Sequence, residues 1–226
     1  MASNARGEIL GRVRAANSRA NGQIVAQAWA ELPRLYTRSS NRSRASVLEL
    51  LKERLRDYDA RVVEAEESHV ATAIGEILAG RGVSRMLVPE SFDSRFLPEG
   101  LRLVPASGLS ALEMDEIGGI ISESSLAIAE TGTIVLQHGA GQGARAATLV
   151  PDYHLCLVRA SSVVATVPEA FDALRATGNL PTTFISGPSA TADIEMTRIK
   201  GVHGPRSLDV LLILPNPAEN YALDNE

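Results

Sequence analysis

The run LDVLLIL at residues 208–214 is apolar without polar alternation. A strand of that kind has both faces covered, and the usual setting is a parallel sheet between helical layers. A second stretch, YHLCLVR at 153–159, reads in the same way. Upstream, Val70, Ile74, Ile77 and Leu78 share one helical face. Gly80 and Gly82 then stop the helix, and the short strand SRMLVP follows at once. Helix, glycine and short apolar strand is the repeating unit of an α/β protein. The expected fold is therefore an open, mostly parallel sheet flanked by helices. Further strands are expected at 101–104, 162–167 and 182–186, and a strand–turn–strand in the segment GIISESSLAIAETGTIVLQHG. Pro168 suits the first turn of a helix whose Ala170, Phe171 and Leu174 face inward.

The N-terminal part reads differently. Ile9, Leu10 and Val13 mark one amphipathic helix, and Ile24, Val25, Ala28 and Trp29 a second that stops at Pro33. A polar linker follows at 36–44. Ser46 and Glu49 then have the spacing of a capping box, opening a helix with Val47, Leu48, Leu51 and Leu55 on one side. This predicts a helical N-terminal extension over residues 1–64 and an α/β domain over 65–226. Residues 1–61 carry 12 Lys and Arg against 6 Asp and Glu, and residues 62–226 carry 10 against 21. The basic residues of the arm are dispersed, so the expected partner of that arm is the acidic body and not a nucleic acid.

Composition removes several chemistries. There is a single cysteine, Cys156, so no internal disulfide forms and the chain alone cannot supply the thiolates of an iron–sulfur cluster. The four histidines are scattered, with no spacing that suggests a metal site. No apolar run reaches the length of a membrane span, and the N-terminus lacks the apolar core of a signal peptide, so a cytoplasmic protein is expected. The glycine-rich segment at 139–143 is not the dinucleotide fingerprint, because no helix pattern follows it, and no phosphate-loop lysine motif is present.

The candidate site lies between the runs TTFIS and LDVLLIL. Ser186, Gly187, Ser189, Thr191 and Asp193 form a hydroxyl-rich loop that either holds an anion or satisfies its own backbone. Its position after a strand favours a ligand site, since open α/β sheets bind at strand carboxyl ends. His203, between Gly201 and Gly204, is a candidate acid or base. Glu130, before Thr131, Gly132 and Thr133, is a candidate base or nucleophile; the alternative is a carboxylate that bonds a nearby backbone N–H. Arg145 and Arg198 are candidate carboxylate clamps.

Four motifs in order, AETGT (129–133), LVPDYH (149–154), SGPSATADIE (186–195) and GVHGP (201–205), resemble the lactate-utilisation protein C family (LutC/YkgG), built on the LUD domain. The resemblance implies a fold like the NagB/RpiA/CoA-transferase superfold. It also implies a part in the oxidation of L-lactate to pyruvate beside two iron–sulfur partner proteins. The chain itself would be the cluster-free member, with no cofactor of its own and a small anion as its expected ligand. The competing expectations are a stand-alone enzyme acting on a CoA ester or phosphosugar, and a non-catalytic scaffold.

Overall fold

The computed structural model describes residues 5–17, 22–191, 199–201 and 204–216. The chain divides into two compact units, Met1–Thr37 and Arg38–Glu226. In the first, α1 (Ala5–Asn17) and α2 (Gly22–Glu31) leave Ile9, Val13, Ile24, Val25 and Trp29 exposed. Arg34 closes the end of α2 by donating to Trp29 O and stacking over the Trp29 ring.

The second unit opens with α3 (Arg44–Asp57), whose N-cap is Ser43; its Oγ accepts from the Ser46 N–H. The expected Ser46–Glu49 box is not formed, because Ser46 already lies in the first turn. Glu49 instead pairs with Lys52, which also reaches Glu64. Then come β1 (Arg61–Glu66), α4 (Val70–Arg81), β2 (Arg85–Val88), β3 (Arg102–Pro105), α5 (Ala111–Asp115) and β4 (Ile120–Glu123). They are followed by β5 (Leu126–Ile128), β6 (Thr133–Leu136), β7 (Tyr153–Arg159), β8 (Val163–Val164) and α6 (Val167–Ala173). The last elements are β9 (Thr183–Ile185), β10 (Ala190–Thr191), β11 (Ile199–Lys200) and β12 (Ser207–Leu214). The boundary expected after residue 64 falls inside β1, and the compact unit extends back to Arg38.

The main sheet has six strands in the order β1-β12-β7-β4-β2-β3, every pair parallel. The chain starts at one edge, crosses to β2 and β3, and returns through β4, β7 and β12. The two apolar runs singled out in the sequence are the neighbouring strands β7 and β12, each paired on both sides. Side chains alternate across the sheet. Leu155, Leu157, Leu211 and Ile213 meet α4 through Val70, Ile74, Ile77 and Leu78. Cys156, Val158, Val210 and Leu212 meet α3 through Val47, Leu51 and Leu55. Each of the three α3 side chains, buried relative to solvent, contributes roughly 2 kcal/mol.

A second sheet, in the order β8-β5-β6-β9, packs on the same side as α3. The expected strand–turn–strand is its β5–β6 hairpin. TTFIS supplies β9, an edge strand of this small sheet, and is not part of the parallel one. The outer face of the small sheet is covered by Ala170 of α6 and by Leu174 just after it, both buried. Phe171 does not face inward. It is exposed and rests against Phe184 of β9, ring centroids 5.9 Å apart, because the neighbouring edge strand offers it only one face. Two capping boxes, Ser110 with Glu113 and Thr166 with Glu169, fix the starts of α5 and α6.

Candidate functional site

The AETGT turn and the loop after β9 meet at the end of α3. Thr131 Oγ1 lies 2.7 Å from Thr133 Oγ1, which lies 2.8 Å from Ser186 Oγ. Gly132 and Gly187 both have left-handed backbones, with φ of 59° and 77°. A Cβ on Gly132 would stand 2.8 Å from the backbone of Arg54, and one on Gly187 only 2.5 Å from Tyr58 Cβ. These glycines let two turns close against the C-terminal end of α3. Glu130 accepts from the Val167 N–H at 2.8 Å and so satisfies an orphan donor at the start of α6. His203 and Asp193, and the side chain of Thr191, lie outside the described residues.

Beyond this cluster a cavity of about 310 Å³ opens, lined by Ser186, Gly187, Ser189 and Gly204 together with Arg145, Thr148, His154, Thr183 and Leu208. The structure thus brings five of the expected residues, Arg145 among them, into one pocket and leaves Glu130, Thr131, Gly132 and Thr133 outside its lining. His154 and Leu208 are the second residues of β7 and β12, so the pocket sits at the amino ends of the central strands. The carboxyl-end expectation does not apply here, because the loop follows a strand of the other sheet.

Three residues hold one wall. His138 Nδ1 is 3.1 Å from Gly143 O, and its Nε2 is 2.7 Å from Thr183 Oγ1. A carbonyl only accepts, so Nδ1 carries a proton, and in the neutral ring Nε2 accepts from the Thr183 hydroxyl. Thr183 Oγ1 in turn accepts from Arg145 Nη1 at 3.2 Å. His138 adopts φ 52°, a left-handed backbone rare outside glycine. Deeper in, His154 Nε2 lies 2.7 Å from Ser122 Oγ. Burial pushes the His154 imidazole down to about 4, so it is neutral at neutral pH. Burial also pushes the Cys156 thiol up to about 12, which is the reverse of what a thiolate ligand requires.

The opposite face of the same strands carries a closed cluster. Asp209, fully buried, accepts from Arg81 Nε at 2.6 Å and Nη2 at 2.5 Å, and from Tyr153 Oη at 3.0 Å. Desolvation and the neighbouring Asp209 carboxylate raise the Tyr153 phenol well above its ordinary value, and Arg81 lies over its ring. At the carboxyl ends, the glycine-rich turn covers β4: the Glu123 N–H donates to Gly141 O at 2.8 Å. There Arg159 pairs with Glu67 and Glu123, at 3.2 and 4.0 Å. Among the described residues no group of three His, Cys, Asp or Glu is arranged to hold a metal ion, and no helix is long and apolar enough to cross a membrane.

Sequence reasoning passed over His138, Thr183 and His154. His154 stands inside the LVPDYH motif, at a position of β7 that alternation places on the pocket side; that parity was the available signal. His138 and Thr183 are 45 residues apart and leave none.

Comparison with known proteins agrees with the fold and the motifs. The LUD domain matches over residues 111–213. The lactate utilization protein C of Deinococcus radiodurans is 38% identical over 174 residues, covering 76% of this chain and 81% of that protein. The protein of the same name from Bacillus subtilis is 28% identical over 218 residues, covering 86% of this chain and 89% of its own length. A crystal structure of a DUF162 family protein from D. radiodurans at 1.70 Å resolution superposes with a TM-score of 0.67 at 34% identity, covering 76% of this chain and 99% of that one. With these motifs on this sheet, and relatives this similar along most of their length, the chain belongs to the lactate utilization protein C family and contains a LUD domain.

Proposed function

We propose that this chain is a cytoplasmic, cluster-free component of a system that oxidises L-lactate to pyruvate, working beside two iron–sulfur partner proteins. The observation that carries the reading is the 38% identity to a protein named for lactate utilisation, spanning 81% of that relative. The cysteine count supports the division of labour: Cys156, alone in the sequence, is buried within β7 and does not fit a cluster ligand. The redox step therefore belongs to the partners. This chain's part is to present its pocket, with Ser186, Gly187, Ser189 and Gly204 in the wall, to a small anion. A cavity of about 310 Å³ is at the small end of ligand sites, which favours this reading over an enzyme of CoA esters. In this proposal the sheet and its helices serve as a NagB/RpiA/CoA-transferase-like frame.

The test is genetic. A strain lacking the gene should lose growth on L-lactate as sole carbon source, keep growth on pyruvate, and recover when the gene is returned. Unimpaired growth on L-lactate would refute the proposal.

A further inference from the structure

Arg145 is the cation of the pocket. Its guanidinium has five N–H donors, and among the described residues its one hydrogen bond is to Thr183. No described carboxylate lies within ion-pair distance of it, whereas Arg81 and Arg206 each have one and Arg159 has two. Thr183 is buried and held by His138, whose backbone is left-handed. The lining also includes the apolar side chains of Leu149, Pro188 and Leu208.

We infer that Arg145, oriented by the Thr183–His138 pair, binds the carboxylate of a small organic acid whose short carbon skeleton lies against the apolar lining side chains. A guanidinium matches a planar carboxylate with two parallel hydrogen bonds. The single cation among the described lining residues suits a monocarboxylate better than a phosphate, which carries more charge. His154 contributes shape and no charge. Arg145 touches the ligand; Thr183 and His138 are positioning residues. The choice of lactate and pyruvate as probes rests on the lactate-utilisation reading, but the site itself does not.

Calorimetric titration of the full chain at low salt tests the inference. Pyruvate or L-lactate should bind, and the neutral amide lactamide and inorganic phosphate should bind at least tenfold more weakly. Arg145→Gln should weaken the carboxylate at least tenfold with an unchanged melting temperature. Thr183→Val should weaken it several-fold, and Thr183→Ser should restore it, which a loss of mere bulk would not explain. Equal carboxylate binding by wild type and Arg145→Gln overturns the site. No binding of any small carboxylate, propionate included, overturns it too. Phosphate binding in preference overturns the ligand class. If propionate binds through Arg145 but lactate and pyruvate do not, the site stands and the lactate reading falls.

Discussion

Two guanidinium groups stand at the amino ends of the same two strands, on opposite faces of the sheet, and they are used in opposite ways. On one face Arg81 is bonded twice to the buried Asp209 carboxylate, which Tyr153 also contacts, and it stacks on the Tyr153 ring. On the other, Arg145 meets only the Thr183 hydroxyl among the described residues and borders a cavity. Tyr153 and Asp209 are the immediate neighbours in sequence of His154 and Leu208, so a one-residue step along each strand passes from the closed cluster to the open pocket. A charge paired with a buried carboxylate is part of the architecture. A charge with donors to spare beside a cavity is a place for something else to bind.

The largest effect should come from breaking the closed side. Arg81→Ala leaves Asp209 buried without its counter-charge. It should cost about 3 kcal/mol and lower the melting temperature by roughly 6–12 °C, read by thermal unfolding. Next comes the buried histidine beneath the open side. His154 has a folded pKa of about 4 against an ordinary 6.5, so the unfolded chain takes up its proton first as pH falls. The stability associated with keeping it neutral is fully present above pH 6.5 and is lost as pH drops toward 4. The loss approaches about 3 kcal/mol. Denaturant titrations at pH 7.5, 6 and 5 should show the decline, and His154→Gln should flatten it.

A smaller effect is expected where the two turns close on α3. Gly187→Ala places a Cβ against Tyr58 on a left-handed backbone. The cost should be about 2 kcal/mol, and a result near zero in the same unfolding assay would mean that the turn has room to shift. The smallest is Arg145→Gln, for which stability should stay within about 0.5 kcal/mol of wild type because no described carboxylate depends on that charge.

The frame was legible because its signals are local. Apolar runs such as 153–159 and 208–214, bounded by turn residues, read as strands covered on both sides, and Pro168 marks a helix start within a turn. The small sheet was less legible, since β5 and β9 are three residues each and their partners are set by the core. The inward placing of Phe171 failed because helical periodicity does not reveal that its neighbour is an edge strand. Of the site, the conspicuous motifs divide: some of their residues serve the fold, while Ser186, Ser189 and Gly204 line the pocket. Glu130 caps α6, and Gly132 and Gly187 admit α3. The pocket's polar wall joins residues 138, 145 and 183 through hydrogen bonds that no sequence spacing encodes.

The most direct test of the contrast between the two arginines is the stabilisation given by pyruvate to three proteins: wild type, Arg81→Ala and Arg145→Gln. At a hundredfold excess over Kd, a ligand specific for the folded state adds about 2.7 kcal/mol. The account predicts that increment in wild type and Arg81→Ala alike, on their different baselines, and its absence in Arg145→Gln. An equal increment in all three proteins, or one lost in Arg81→Ala and kept in Arg145→Gln, would contradict it.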